Sequence, residues 1–374
     1  MNEKYVISDK SILQDIELAL KETFFSDKTD DFLNTDQGQT DIKANVFDRY
    51  NRALKYTVPW VSKATDLEGK NIIEIGCGTG SSTVAFSHFA REVSGYDIDE
   101  KSIAGARRRK QIMGIENAHF HVVTPENCID SILEHHPNDV DIILLYAVLE
   151  HQTIRERHDT IKKCWDLLQP EGIMIVTDTP NLLCYHDYHT SLLPFAQMLP
   201  TELYAKYMRN SSRDGFKDDF LNHEDITLEA LETKICRWGR GVSYHDFEIC
   251  LGPEYYKYIV CNGFEPEIMG YLDVSQEEEL LRMYIQQRQD LNIPFAFTRV
   301  FLNFILKKSE TNCTELPDPP KNKIYSLATS ESNNDELQRL RQIIFEMENS
   351  ARWKLGSFIA WPYRKLKEIR RQVR

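Results

Sequence analysis

Five strand-length apolar runs recur between residues 71 and 180: Asn71–Ile75, Glu92–Tyr96, His119–Val123, Val140–Tyr146 and Ile173–Thr177. Helix-period segments fill about 81–90, 99–113 and 154–168 between them. Strands separated by helices cannot pair through tight hairpins. They pair in parallel, with crossover helices covering both faces of the sheet. The expected fold is therefore α/β, with a largely parallel sheet between two helical layers.

The rhythm stops after Thr179-Pro180-Asn181. Residues 182 to about 260 are rich in Tyr, His, Trp and Phe and lack a strand–helix repeat. They are expected to cap the sheet's carboxyl edge, where open α/β sheets bind ligands. A strand near Pro266–Leu272, an acidic helix over Gln276–Gln287 and a long final strand over Phe295–Leu306 follow. Upstream, a short helix is expected near Ile12–Leu20 and a longer one over Phe47–Trp60, around a polar loop. The expected division is 1–45, a polar helical segment; 46–308, the main domain with its cap at 182–260; 309–334, a Pro/Ser/Thr/Asn-rich linker; and 335–374, a helical basic amphipathic tail.

Hydrophobic residues make up 41% of the 374-residue chain and charged residues 28%, a globular balance. The longest apolar run, Ile142–Leu149, ends at Glu150, far short of the roughly 20 residues that span a bilayer. The first thirty residues carry charges throughout, without the apolar stretch of a secretion signal, so a cytoplasmic location is expected. The 8 cysteines form no CxxC pair and are expected to be free, mostly buried thiols. Net charge is −13, yet Arg352–Arg374 carries eight basic residues against Glu368 alone. An acidic body is a poor nucleic-acid binder, and no nucleic-acid partner is expected. The tail's Trp353, Phe358 and Trp361 among Arg and Lys suit an anionic membrane surface, where the chain would sit peripherally on the cytoplasmic face. The alternative is a tail docked on the acidic body.

The first run ends in Glu74-Ile75-Gly76-Cys77-Gly78-Thr79-Gly80, a turn whose glycines let a ligand approach the backbone ahead of a helix N-terminus. A dinucleotide fingerprint would need a third glycine at position 81, which is Ser81, so a dehydrogenase is disfavoured. The G-x-G-x-G spacing after an acid resembles class I S-adenosylmethionine-dependent methyltransferases, whose Rossmann-like sheet the run order matches over about 47–180 and 263–307. Asp97, 21 residues after Gly76, then stands where an acid accepts the ribose hydroxyl protons. Thr124-Pro125-Glu126 corresponds to the adenine-contacting turn; Leu149-Glu150-His151 is similar to the family's "LEH", and Gln169-Pro170-Glu171-Gly172 to its "LxPGG". The resemblance implies S-adenosylmethionine as cofactor, held by Glu74, Gly76, Cys77, Gly78, Gly80, Asp97, Ile98, Thr124, Pro125, Glu126, Tyr146 and His151. Cys77 is otherwise a small filler, and Arg107-Arg108-Arg109-Lys110 is expected to form the solvated face of its helix.

A hydroxyl acceptor needs a base beside the transferred methyl; a carboxylate acceptor needs none. The cap supplies His189 first, His245 second, and Asp187 beside the former. His186, Asp187 and His189 together suggest a metal, but magnesium prefers oxygen ligands and no metal is expected. Tyr185, Tyr188, Trp238 and Tyr244 would either stack on a sugar ring or form the cap's own core. The "TPN…D-x-H…LP" residues (Thr179 to Pro200) and Gly239–Glu248 are similar to bacterial methyltransferases of surface-polysaccharide synthesis, and the tail resembles the C-termini of polysaccharide glycosyltransferases. These resemblances imply O-methylation of a glycan or glycolipid, with a membrane surface or glycosyltransferase as tail partner. The alternatives are a small phenolic or carboxylate acceptor, or a cofactor-binding scaffold without catalysis.

Overall fold

The structure, a computed structural model, describes residues 3–7, 9–136, 139–213, 215–216, 218–220, 226–288, 290–309 and 315–319. The basic tail and most of the linker lie outside the described residues. Seven strands form one sheet in the order β3-β2-β1-β4-β5-β7-β6. They are β1 (Asn71–Ile75), β2 (Glu92–Asp97), β3 (Ala118–Val122), β4 (Ile142–Tyr146), β5 (Ile173–Pro180), β6 (Ile259–Cys261) and β7 (Phe301–Lys307). β1 to β5 pair in parallel, and β7 runs antiparallel between β5 and β6. This is the expected Rossmann-like sheet, with an insertion before its last two strands.

Alternation along each strand explains the continuous apolar runs. Ile73, Ile75, Ile143, Leu145, Met174 and Val176 pack into one core, while Ile72, Ile142, Leu144, Ile173 and Ile175 pack into another on the opposite face. A third cluster joins Ile16, Leu20, Val46 and Tyr50 to Val84, Ile103 and Phe120, so the N-terminal segment shares the body of the domain. Thr35 caps a further helix, Asp36–Lys43, in what the sequence suggested was loop. The chain then runs helically to Val61, widening to i→i+5 turns at Ala44–Asp48 and Ala53–Thr57.

Three expectations are corrected. Residues 266–272 do not form a strand: Pro266 opens a short helix, Pro266–Met269, because it has no ladder donor and suits a first helical turn. The Glu265 carboxylate closes the preceding loop, accepting from Asn262 N (2.8 Å), Gly263 N (2.9 Å) and Trp60 Nε1 (2.8 Å). The final strand starts at Phe301, after a helical turn at Phe295–Thr298 that follows Pro294. Arg109 is not on a solvated face but fully buried. Its guanidinium donates to the carbonyls of Thr79 (2.9 Å), Val46 (3.2 Å) and Asn45, tying the glycine turn to the N-terminal helices. Burial without an acidic partner pulls its pKa down to about 10.

No helix among the described residues is long and apolar enough to cross a membrane. Replacing Arg109 with Leu strands three buried carbonyl acceptors. The expected loss is about 3 kcal/mol, read as a lower urea midpoint with an unchanged slope.

Candidate active site

The three glycines of the turn all have positive φ, +75° at Gly76, +50° at Gly78 and +73° at Gly80, but they serve two purposes. A Cβ on Gly76 would lie 2.5 Å from Val148, and one on Gly80 would lie 2.8 Å from Phe120. Those two positions are glycine because the protein itself crowds them. A Cβ on Gly78 would meet nothing within 4 Å, so the turn presents bare backbone to open space there. Gly78 N donates to Asp97 Oδ2 (2.7 Å), and Asp99 N donates to Oδ1 (2.9 Å). Burial nonetheless raises the Asp97 pKa. Ile98, beside it, is 56% exposed, and Thr124, Pro125 and Glu126 form an exposed turn after β3. This open cradle, edged by a carboxylate and an exposed apolar side chain, fits an adenosyl group.

Glu74 and Cys77 face away from the cradle. The Glu74 carboxylate is buried on the first turn of the Ser81–Ser87 helix, accepting from Ser82 and Thr83 (2.5 Å to the latter), and burial lifts its pKa to about 7. Cys77 is packed against Gly95 of β2. Both therefore shape the turn from behind. Tyr146, at the end of β4, is near Asp178, which accepts from Tyr271 OH (3.1 Å) and pairs with Arg52 (3.3 Å).

A second focus lies just past β4. Glu150 is fully buried, and neither carboxylate oxygen has a hydrogen-bond partner among the described residues. The Thr179 hydroxyl, 3.5 Å from Thr177 O, also lies close enough to Glu150 to oppose the rise in its pKa. His151 Nε2 and His189 Nε2 stand 3.9 and 4.0 Å from Glu150 Oε1, and the imidazole centroids are 5.4 Å apart. Burial lifts the Glu150 pKa to about 8; burial, with His151 nearby, lowers that of His189 to about 4. The Nδ1 partners fix both rings. His151 Nδ1 is 3.1 Å from the Arg237 carbonyl, which can only accept. His189 Nδ1 is 2.8 Å from Thr190 Oγ1, whose own proton goes to Gly239 O (2.7 Å). Each Nδ1 therefore carries the hydrogen, and each Nε2 is a lone pair turned toward Glu150.

The cap seats His189 through its glycines. A Cβ on Gly239 (φ +122°) would lie 2.7 Å from the His189 ring, and one on Gly241 would lie 2.6 Å from Leu182 N. Asn181 locks the cap's base, donating to Phe297 O (2.7 Å) and Arg299 O (2.8 Å). Asp187 does not join the histidines. Its carboxylate accepts from the backbone of His189, Thr190 and Ser191 and from the Ser191 hydroxyl, so it holds the loop and acts as a positioning residue. His245 is also apart, bonded to Ser243 (3.1 Å) and lining a cavity of about 490 Å³ with Leu182, Tyr185, Tyr244, Leu281 and Tyr284; neither His151 nor His189 lines it. Glu150 was not singled out from the sequence, although an acid ending an eight-residue apolar run was the available signal.

Residues 66–213 match the family described as "Methyltransferase domain". The chain is similar to the ubiquinone biosynthesis O-methyltransferase of Burkholderia vietnamiensis, with 27% identity over 189 residues, covering 50% of this chain and 73% of that protein. The corresponding protein of Azoarcus sp. (strain BH72) is 25% identical over 187 residues, covering 45% and 74%. The polysaccharide-associated resemblance has no counterpart among these relatives. Among solved structures, the YcgJ protein of Bacillus subtilis overlaps 35% of this chain and 52% of its own, with 21% identity and a TM-score of 0.29. The chain thus spans about half of that structure.

Two outcomes are expected. Gly78→Ala costs about 1 kcal/mol in stability from its positive φ but weakens S-adenosylmethionine binding, by calorimetry, about tenfold or more because the methyl enters the cradle. Glu74 titrates near 4.5 when unfolded and about 7 when folded, so the native state holds the proton more tightly between those values. Relative to Glu74→Gln, the wild type should lose about 3 kcal/mol of unfolding free energy from pH 4.5 to 7 and no more above. The cradle at Gly78, the acid at the end of β2 and the family match make residues 66–213 an S-adenosylmethionine-dependent methyltransferase domain.

Proposed function

We propose that this chain methylates a hydroxyl oxygen of a glycan or glycolipid intermediate. The Glu150–His151–His189 cluster carries the reading: two unprotonated imidazole nitrogens beside an unpartnered carboxylate, at the carboxyl end of β4. Such a cluster has a use when an acceptor must lose a proton and none when the acceptor is a carboxylate. When bound, S-adenosylmethionine supplies a sulfonium methyl, so that transfer forms a C–O bond, breaks the C–S bond and releases the hydroxyl proton. This chain's residues align the hydroxyl with that methyl and withdraw its proton at the cluster. With its pKa near 4, His189 is unprotonated throughout the neutral range. Three tyrosines of the cavity that His245 lines, Tyr185, Tyr244 and Tyr284, offer faces for a sugar ring.

A phenolic acceptor is the second reading. The same cavity is lined mainly by Leu, Ile, Met and Tyr, with Gln197 and His245 as its other polar side chains, and suits an aromatic ring with apolar substituents. The printed names of the relatives point the same way. Incubation with radiolabelled cofactor and panels of glycans and phenols separates the two readings. His189→Ala should lose about 10²–10⁴-fold in transfer rate while binding cofactor as before. Undiminished transfer by that variant, or transfer only to carboxylates, would sink the O-methylation reading.

A further inference from the structure

The Glu150 cluster contains an inconsistency that protons do not resolve. Three groups face one another: the buried Glu150 carboxyl, with neither oxygen hydrogen-bonded, and two Nε2 lone pairs whose tautomers are set from behind. A proton shared between Glu150 and either ring would need a separation of about 2.7–3.0 Å, and the observed separations are 3.9 and 4.0 Å.

We propose that Glu150, His151 and His189 bind one divalent transition-metal ion. One ligand atom from each lies within 4.8 Å of the others. Two ligands about 2.1 Å from a common ion are at most about 4.2 Å apart, so the Glu150–His151 and Glu150–His189 separations already admit an ion between them. The remaining adjustment falls on the rings, 40% and 24% exposed, rather than on the buried carboxylate. Each Nδ1–H is held by an oxygen, Arg237 O or Thr190 Oγ1, the outer-sphere arrangement that orients a metal-binding imidazole. Nearby cations are already matched: Arg237 pairs with Glu156 (2.6 Å) and Arg157 with Asp246 (3.4 Å), while Arg213 donates to His189 O (2.8 Å). Two imidazoles and one carboxylate favour zinc, cobalt(II) or iron(II) over magnesium. The proposed ligand set differs from the His186–Asp187–His189 grouping that the sequence suggested, because Asp187 is committed to its own loop.

Three protein ligands leave a coordination position open. An ion there would lower the pKa of a hydroxyl bound at that position, and in the metal-loaded chain His189 Nε2 would be a ligand, so that its role as base belongs to the metal-free chain alone. The site stands on geometry without the O-methylation reading, and its test uses neither acceptor nor cofactor. The chelator-stripped full chain is titrated with Co²⁺ and followed by visible absorption and calorimetry. One equivalent should bind, with the d–d bands of four- or five-coordinate cobalt. His189→Ala and Glu150→Gln should each weaken binding by at least about 100-fold, with circular dichroism unchanged. If Glu150→Gln fails to fold, His151→Ala, at a more exposed position, takes its place. No stoichiometric binding by folded wild type, or binding that survives both histidine substitutions, would overturn the proposal and leave O-methylation to its own assay.

Discussion

One guanidinium holds the two halves of the candidate site together. Arg157, from the Ile154–Leu167 helix, is almost wholly buried and donates to Leu149 O (3.0 Å), Gly241 O (3.2 Å) and Arg240 O (2.9 Å), with Asp246 at 3.4 Å as its counter-ion. Leu149 opens the helical turn after β4, Leu149–His151, that carries Glu150 and His151, and residues 239–241 are the cap segment against which His189 rests. Arg240 N returns the connection by donating to Glu150 O (2.7 Å). A buried arginine satisfied by carbonyls fixes backbone to backbone, which sets side-chain distances more firmly than contacts among mobile side chains.

The same device recurs on the cofactor side. Arg109 binds the carbonyls of Thr79, Val46 and Asn45, so the glycine turn is held against the N-terminal helices. In both places a planar donor meets carbonyl groups that an irregular loop leaves without partners. The cost is a buried cation, visible in the lowered pKa of Arg109. The benefit is two rigid loops at neighbouring ends of a parallel sheet.

Around these anchors the polar residues divide by task. Asn181, Asp187 and Glu74 are saturated with internal hydrogen bonds and set the shape of the loops. The α-carbon of Gly78 faces open space, and the Glu150 carboxyl and the two Nε2 nitrogens face one another. Chemistry is expected where satisfaction fails, because a buried group left unpaired is tolerated only where something else completes it.

Much of the fold was legible in the chain's order of residues. Strands buried on both faces are largely apolar, so β4 and the first half of β5 are legible from composition alone, while β1 and β2 are placed by the glycine turn and the helices between them. The Gln276–Gln287 helix lies where the acidic segment suggests it, and the structure shows a Ser275 capping box at its start. Short, proline-started elements such as Pro266–Met269 were misassigned, because an apolar pair four residues apart reads equally as strand or helix until Glu265 is seen closing the loop before it. The sequence by itself determined the sheet, the glycine cradle and Asp97 at its edge, since these depend on local spacing. Only the tertiary structure decided that Gly78, of the three glycines in the turn, is the one facing open space, that Arg109 is buried, that Asp187 is an internal brace, and that His189 meets Glu150 rather than His186. Those outcomes depend on contacts between segments far apart in the chain, which carry no periodicity in the sequence.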